Sequence, residues 1–241
     1  MHTAPRPPRP QRRGSRLAAL ATRGRLLIGL GSVIAMAATT ALVPAPASAA
    51  TSICSNKTGT NSGFYYQMWS NGQGSACITL NAGNSYSTTW SGIGDFVAGV
   101  GWSRGSGHTV SFSGSMHASG GATRISLYGW STSPLVEYYV MENYNGSAPG
   151  SGTYKGQITS DGATYKIYEH LQVNQPSIQG TATFEQYLAV RTSPTGSGTI
   201  TTQNFINAWS GFGMKLGTMN YQILATEAWG GGSGGSSITV H

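Results

Sequence analysis

The stretch Arg124-Ile-Ser-Leu-Tyr-Gly-Trp130, followed after a Ser-Thr-Ser-Pro turn by Leu135-Val-Glu-Tyr-Tyr-Val-Met-Glu-Asn143, decides how this chain folds. Two runs rich in aromatic and branched residues, separated by turn residues, read as strands over Arg124–Trp130 and Val136–Asn143. Side chains alternate across a strand, so Tyr128 and Trp130 share one face, and Glu137 and Tyr139 share another. A carboxylate is rarely set in an apolar strand unless it is paired or put to use. The chain has seven acidic residues, so Glu137 asks for a chemical reason.

The same grammar recurs on both sides of this segment. Gly63–Trp69, Ala76–Leu80, Ser85–Trp90, Phe96–Gly101, Thr109–Ser115, Ala163–Gln172, Thr181–Val190, Met219–Trp229 and Ser236–Val240 are further predicted strands among Gly, Ser, Thr and Asn turns. One flat sheet of that many strands would leave a whole apolar face in water. Two stacked antiparallel sheets, an all-β sandwich, resolve this. Gln203–Ser210 differs, since Phe205, Ile206 and Trp209 fall at helical spacing behind the possible caps Thr201 and Thr202. The glycine-rich run Gly230–Gly235 reads as a loop before a last strand, because only Ser236–His241 follow it.

Glu227, in Tyr221-Gln-Ile-Leu-Ala-Thr-Glu-Ala-Trp229, is a second carboxylate in an apolar, aromatic strand. It shares a face with Tyr221 and Trp229, as Tyr65 and Gln67 do with Trp69. Sugar rings offer apolar faces to aromatic platforms and hydroxyls to polar edges, so such a cleft suits a polysaccharide. Paired carboxylates beside it suggest hydrolysis of glycosidic bonds. Glu142, Glu169 and Glu185 lack this setting and read as surface charges.

The formal charge of +7 is a property of one end. Residues 1–49 carry seven arginines and no acid, leaving 14 − 7 = 7 basic residues against 7 acidic ones in the remainder. A basic region, an apolar stretch from Leu26 to Val43 and Ala47-Ser-Ala49 read as a signal peptide, exported by the general or the twin-arginine route. A membrane anchor is disfavoured by the small residues after that stretch. The neutral remainder lacks the basic footprint of a nucleic-acid binder. In an exported chain Cys54 and Cys77 are expected to form a disulfide, two free thiols being the alternative. His108, His117 and His170 are not in short metal-ligand spacings, so no metal and no cofactor is expected.

From Phe64-Tyr-Tyr-Gln-Met-Trp69 to Ser237-Ile-Thr-Val240 the chain resembles the family 11 glycoside hydrolases, which are endo-1,4-β-xylanases. Leu127-Tyr-Gly-Trp130, Pro134-Leu-Val-Glu-Tyr-Tyr139, Gly152-Thr-Tyr-Lys155, Gln175-Pro-Ser-Ile178, Thr183-Phe-Glu-Gln-Tyr187 and Tyr221–Glu227 carry the resemblance. It implies a jelly-roll β-sandwich of strongly twisted sheets with one helix, shaped like a partly closed hand around xylan or xylo-oligosaccharides. It implies a secreted monomer of one catalytic domain, residues 50–241, without an accessory module. By residue matching Glu137 is the nucleophile of a retaining reaction and Glu227 the acid/base. Trp69 is a stacking platform, Tyr128, Tyr139 and Tyr221 line the site, and Gln186 and Arg191 lie near the nucleophile. A thumb hairpin over the cleft falls on Arg191–Gly198, with Pro194 touching substrate; Trp229, a substrate contact, stands where tyrosine is common. Asp95 matches a position beside the acid/base whose Asp form goes with acidic pH optima, and a hydrogen bond to Glu227 is expected there. A non-catalytic carbohydrate-binding sandwich and a β-1,4-glucanase are the rival readings.

Overall fold

The computed structural model describes residues 50–241, so the predicted leader, residues 1–49, lies outside the described residues. The chain runs β1 (Thr51–Ile53), β2 (Lys57–Asn61), β3 (Phe64–Ser70), β4 (Ser75–Leu80), β5 (Ser85–Trp102), β6 (Thr109–Ser119), β7 (Ala122–Thr132) and β8 (Val136–Tyr144). It continues with β9 (Thr153–Ser160), β10 (Ala163–Ser177), β11 (Gly180–Arg191), β12 (Ser197–Thr201), α1 (Thr202–Gly211) and β13 (Thr218–Val240). Among the described residues no helix is long and apolar enough to cross a membrane.

Two long strands make a two-layered body from one continuous sheet. The first half of β5 pairs with β4, and its second half pairs with β3. β13 follows β5 throughout, pairing also with β7 over its first half and with β6 over its second. The register shifts at Trp229, Gly232 and Gly234, where Gly230 and Gly231 take positive φ of 77° and 83°. Glycine-rich bulges of this kind bend a strand sharply without ending it. Gly230–Gly235 is therefore a bend inside a 23-residue strand rather than the loop expected from composition. One layer is β1-β4-β5-β13-β6-β12. The other, β2-β3-β5-β13-β7-β8-β11-β10-β9, carries the concave face. Every pairing between named strands is antiparallel except β8 with β11, which is parallel.

The alternation along β8 divides the interior. Val136, Tyr138 and Val140 face the core between the layers, with Ile78, Tyr86, Leu127 and Ile167, whereas Tyr139 and Met141 join a second apolar cluster on the concave side. That second cluster, with Val97, Tyr128, Trp130, Phe184, Leu188 and Tyr221, floors a cleft. Full burial of a large apolar side chain is worth roughly 1.5–3 kcal/mol, which fixes the strand register, because a one-residue slip would exchange the two faces.

Helix α1 packs on the core through Phe205 and Trp209, and Trp209 meets the rings of Tyr138, Tyr187 and Phe205. Neither Thr201 nor Thr202 caps it by a side-chain bond. Instead Thr201 donates its N–H and Oγ1 to Asp161, at 2.8 and 2.7 Å. Burial opposes the charge on Asp161, but these bonds and one from Ser160 outweigh it and hold the carboxyl below its usual range. Cys54 and Cys77 are joined in a disulfide linking the end of β1 to β4.

Candidate active site

A cleft of about 220 Å³ lies on the concave face. Glu137 and Glu227 both line it, with Trp69, Asp95, Tyr128, Tyr139, Gln186 and Tyr221. The sequence alternation brings these together as expected. β7 lies between the two strands that carry the glutamates, pairing Trp130 with Glu137 on one side and Arg124 with Glu227 on the other.

Glu137 is 7% exposed and held from two sides. Tyr128 donates its hydroxyl to Oε1 at 2.7 Å, and Gln186 donates its amide to Oε2 at 2.6 Å. Each donor is itself oriented. Trp130 Nε1 donates to the Tyr128 oxygen at 2.7 Å, and Gln172 donates to Gln186 Oε1 at 2.8 Å. Burial pushes the Glu137 carboxyl up, and the charge of Glu227 adds to this. The Gln186 and Tyr128 hydrogen bonds, which favour the ionised form, pull it back. Burial drives the hydroxyls of Tyr128 and Tyr139 far above their usual range, so both remain donors across the working pH range.

Glu227 is also 7% exposed, and its partner is a cation. Arg124 reaches its two oxygens through Nε at 2.5 Å and Nη2 at 2.8 Å. The guanidinium lies over the rings of Tyr139 and Trp229, 4.0 and 4.7 Å from their centroids. Sequence reasoning missed Arg124, although it falls on the same strand face as Tyr128 and Trp130 by the period of two.

Asp95 is in the cleft, but the expected hydrogen bond to Glu227 is not formed, and the partner of both Glu227 oxygens is Arg124. Asp95 Oδ1 is buried without a hydrogen-bond partner among the described residues. Its carboxyl is pushed up to about 7 by burial and then by Glu227, with Arg124 acting the other way.

Other expectations are corrected. Arg191 is not beside Glu137: its Nη1 pairs with Glu142 at 2.8 Å, and its Nε donates to Ser193 O at 2.9 Å. Glu142 is fully buried, receives the Tyr165 hydroxyl at 2.7 Å, and is no surface charge. Arg191–Gly198, including Pro194, does not border the cleft. It returns to the body through Thr195 N–H donating to Glu142 O, and its end enters β12 beside β6. The hairpin over the cleft is the β10–β11 turn, where Gln175, Pro176, Ser177 and Ile178 line the opening. A bulge between Gln172 and Gln175, with Asn174 at φ 54°, turns it inward. Trp229 covers Arg124 rather than lining the opening. Lys155–Glu169, in contrast, is a partly exposed pair.

The family model of the glycosyl hydrolases family 11 matches residues 61–239. Endo-1,4-β-xylanase 2 of Rhizopus oryzae is 53% identical over 189 residues, spanning 78% of this chain and 87% of its own. Endo-1,4-β-xylanase 1 of Hypocrea jecorina is 56% identical over 155 residues, 64% of this chain and 67% of its own. A solved structure from a comparison of two major endo-1,4-β-xylanases from Trichoderma reesei aligns with a TM-score of 0.66 and 46% identity, covering 78% of this chain and 97% of that one.

Proposed function

The chain belongs to the glycosyl hydrolases family 11, and from that premise we propose how it works: as an endo-1,4-β-xylanase that cuts internal bonds of xylan with retention at the anomeric carbon. The observation that carries this reading is the pair Glu137 and Glu227, both buried and both facing one aromatic cleft from strands on either side of β7.

Glu137 attacks the anomeric carbon as the glycosidic C–O bond breaks, and the departing oxygen takes a proton from Glu227. A glycosyl ester on Glu137 results. Glu227, now ionised, takes a proton from water; that water attacks the anomeric carbon as its bond to the Glu137 oxygen breaks, and Glu137 leaves as the carboxylate. Tyr128 and Gln186 stabilise the Glu137 carboxylate in both steps. Trp69, Tyr139 and Tyr221 offer ring faces and hydroxyls to the chain, and the Gln175–Ile178 hairpin covers it.

Asp95 supports an acidic optimum. A third carboxyl beside Glu227 couples their titrations, so the state with Glu227 protonated and Glu137 ionised is populated at lower pH. Residues 50–241 would be the mature catalytic domain, secreted after loss of the leader; the Cys54–Cys77 disulfide suits that compartment.

The test is reducing-sugar release from xylan and from carboxymethyl-cellulose, with proton NMR of the first product anomer. Wild type should act on xylan and release the β-anomer, and Glu137→Ala should lose at least about 1,000-fold, as expected when a nucleophile is removed. Release of the α-anomer would refute the retaining reaction, and preference for carboxymethyl-cellulose would make the protein a glucanase.

A further inference from the structure

A retaining hydrolase needs Glu227 to bring a proton to the leaving oxygen, yet the structure clamps both Glu227 oxygens in a bidentate pair with Arg124. An arginine fork of this kind favours the ionised carboxylate and directs an N–H at each of its oxygens. The pair is built in. Arg124 is 9% exposed and has the Tyr139 and Trp229 rings over its plane. On the strand register Arg124 lies opposite Glu227 on β7. Asp95 lies on β5, diagonal to Glu227 and directly opposite Trp229. Three adjacent strands, β5, β13 and β7, thus carry carboxyl, carboxylate and guanidinium, with Asp95 in the row next to that of Glu227 and Arg124.

We propose that Arg124 is a positioning residue that sets the pH at which Glu227 can hold its proton, and that its fork must open before the glycosidic oxygen can be protonated. The inference rests on the assignment of Glu227 as acid/base. The titratable groups facing the pair are Asp95 from β5, Glu137, Tyr139 and Tyr144 from β8, and Tyr128 on β7 itself. Arg124 is the cation among the charges acting on Asp95, and it also acts on Glu137. Two carboxyls, Asp95 and Glu227, share the influence of this one guanidinium. With the fork closed, Arg124 is committed to Glu227, and the proton is on Asp95, whose carboxyl is pushed up to about 7 by burial and Glu227. When substrate opens the fork, the proton can pass to Glu227 while Arg124 neutralises Asp95. No proton is gained or lost in that exchange.

The sign of the pH effect follows. A positive charge stabilises the ionised form of its neighbours, so removing it keeps the acid protonated to higher pH. In Arg124→Gln the alkaline limb of kcat/KM on xylan should move up by about one pH unit, with a smaller movement of the acid limb. Arg124→Lys keeps the charge but loses the fork. Its alkaline limb should stay within about half a unit of wild type, while Glu227 is held less well and the plateau falls about tenfold.

A merely structural role would lower activity without moving the limb in either variant. A folded Arg124→Gln whose alkaline limb coincides with wild type overturns the inference. If Arg124→Gln lacks a cooperative unfolding transition, the second charge-removing variant Arg124→Met is read in its place, and an alkaline limb coincident with wild type overturns the inference. A wild type inactive on xylan would instead remove the function reading and this inference with it. Activity in wild type with failure in the variants removes the inference only.

Discussion

Replacing Asp95 by Asn gives a sharp test of the electrostatics, because it changes one ionisation and almost no volume. In the folded protein the Asp95 carboxyl is pushed up to about 7, from an ordinary value of 3.8, because burial and Glu227 both oppose its charge. The folded state therefore holds this proton more tightly than the unfolded chain does. Its stabilising effect is full below pH ~4, is lost as pH rises from about 4 to about 7, and is constant above that. Between pH 5 and pH 8 the cost of ionising Asp95 grows by about 2.5 kcal/mol, taking 1.36 kcal/mol per pK unit. Asp95→Asn carries no such cost. The variant should gain about 2.5 kcal/mol on wild type between pH 5 and pH 8 in urea unfolding. In thermal melts this is about 5–10 °C for a domain of this size. If the stability difference between the two proteins is the same at pH 5 and pH 8, Asp95 is not the buried, proton-holding carboxyl described above.

Replacing Cys54 and Cys77 together by serine opens a loop of 23 residues and should cost about 3 kcal/mol, read as a fall in the urea midpoint with activity intact at low temperature. Gln186→Leu removes the amide donor to Glu137 and should lower kcat/KM on xylan by about 10–100-fold, the worth of a hydrogen bond to a charged group. An unchanged rate would show that Tyr128 alone holds the Glu137 carboxylate.

Much of the site was legible because it is written in alternation. Val136, Tyr138 and Val140 against Glu137, Tyr139 and Met141 is a period-two pattern, and the structure sends the first set to the core and the second to the cleft side. What stayed hidden depends on partners remote in sequence. Glu142 looks like a surface charge in Met-Glu-Asn, and only the fold brings Arg191, 49 positions away, to neutralise it. Arg124 is ordinary beside Thr123 and Ile125 until β13 lays Glu227 against it, 103 positions along. The thumb was misplaced for a different reason. It was assigned to Arg191–Gly198 by matching residues to the family, whereas the hairpin over the concave face is the one that carries Gln175–Ile178. The glycines of Gly230–Gly235 likewise signal special backbone geometry without telling a bend within a strand from its end.

β5 and β13 belong to both layers at once, and this ties the far wall of the molecule to the reaction. Asp95 rides on the same strand whose residues Tyr86–Ser91 are laced to β4 and thereby to the Cys54–Cys77 staple. Glu227 likewise shares its strand with the ladder to β6 beyond the glycine bend. Neither wall can slip or peel away without dragging a carboxyl out of alignment. A crosslink at the rear thus serves as a tensioning cable for the chemistry at the front, and heat that frays the back edge should extinguish turnover before the cleft itself comes apart.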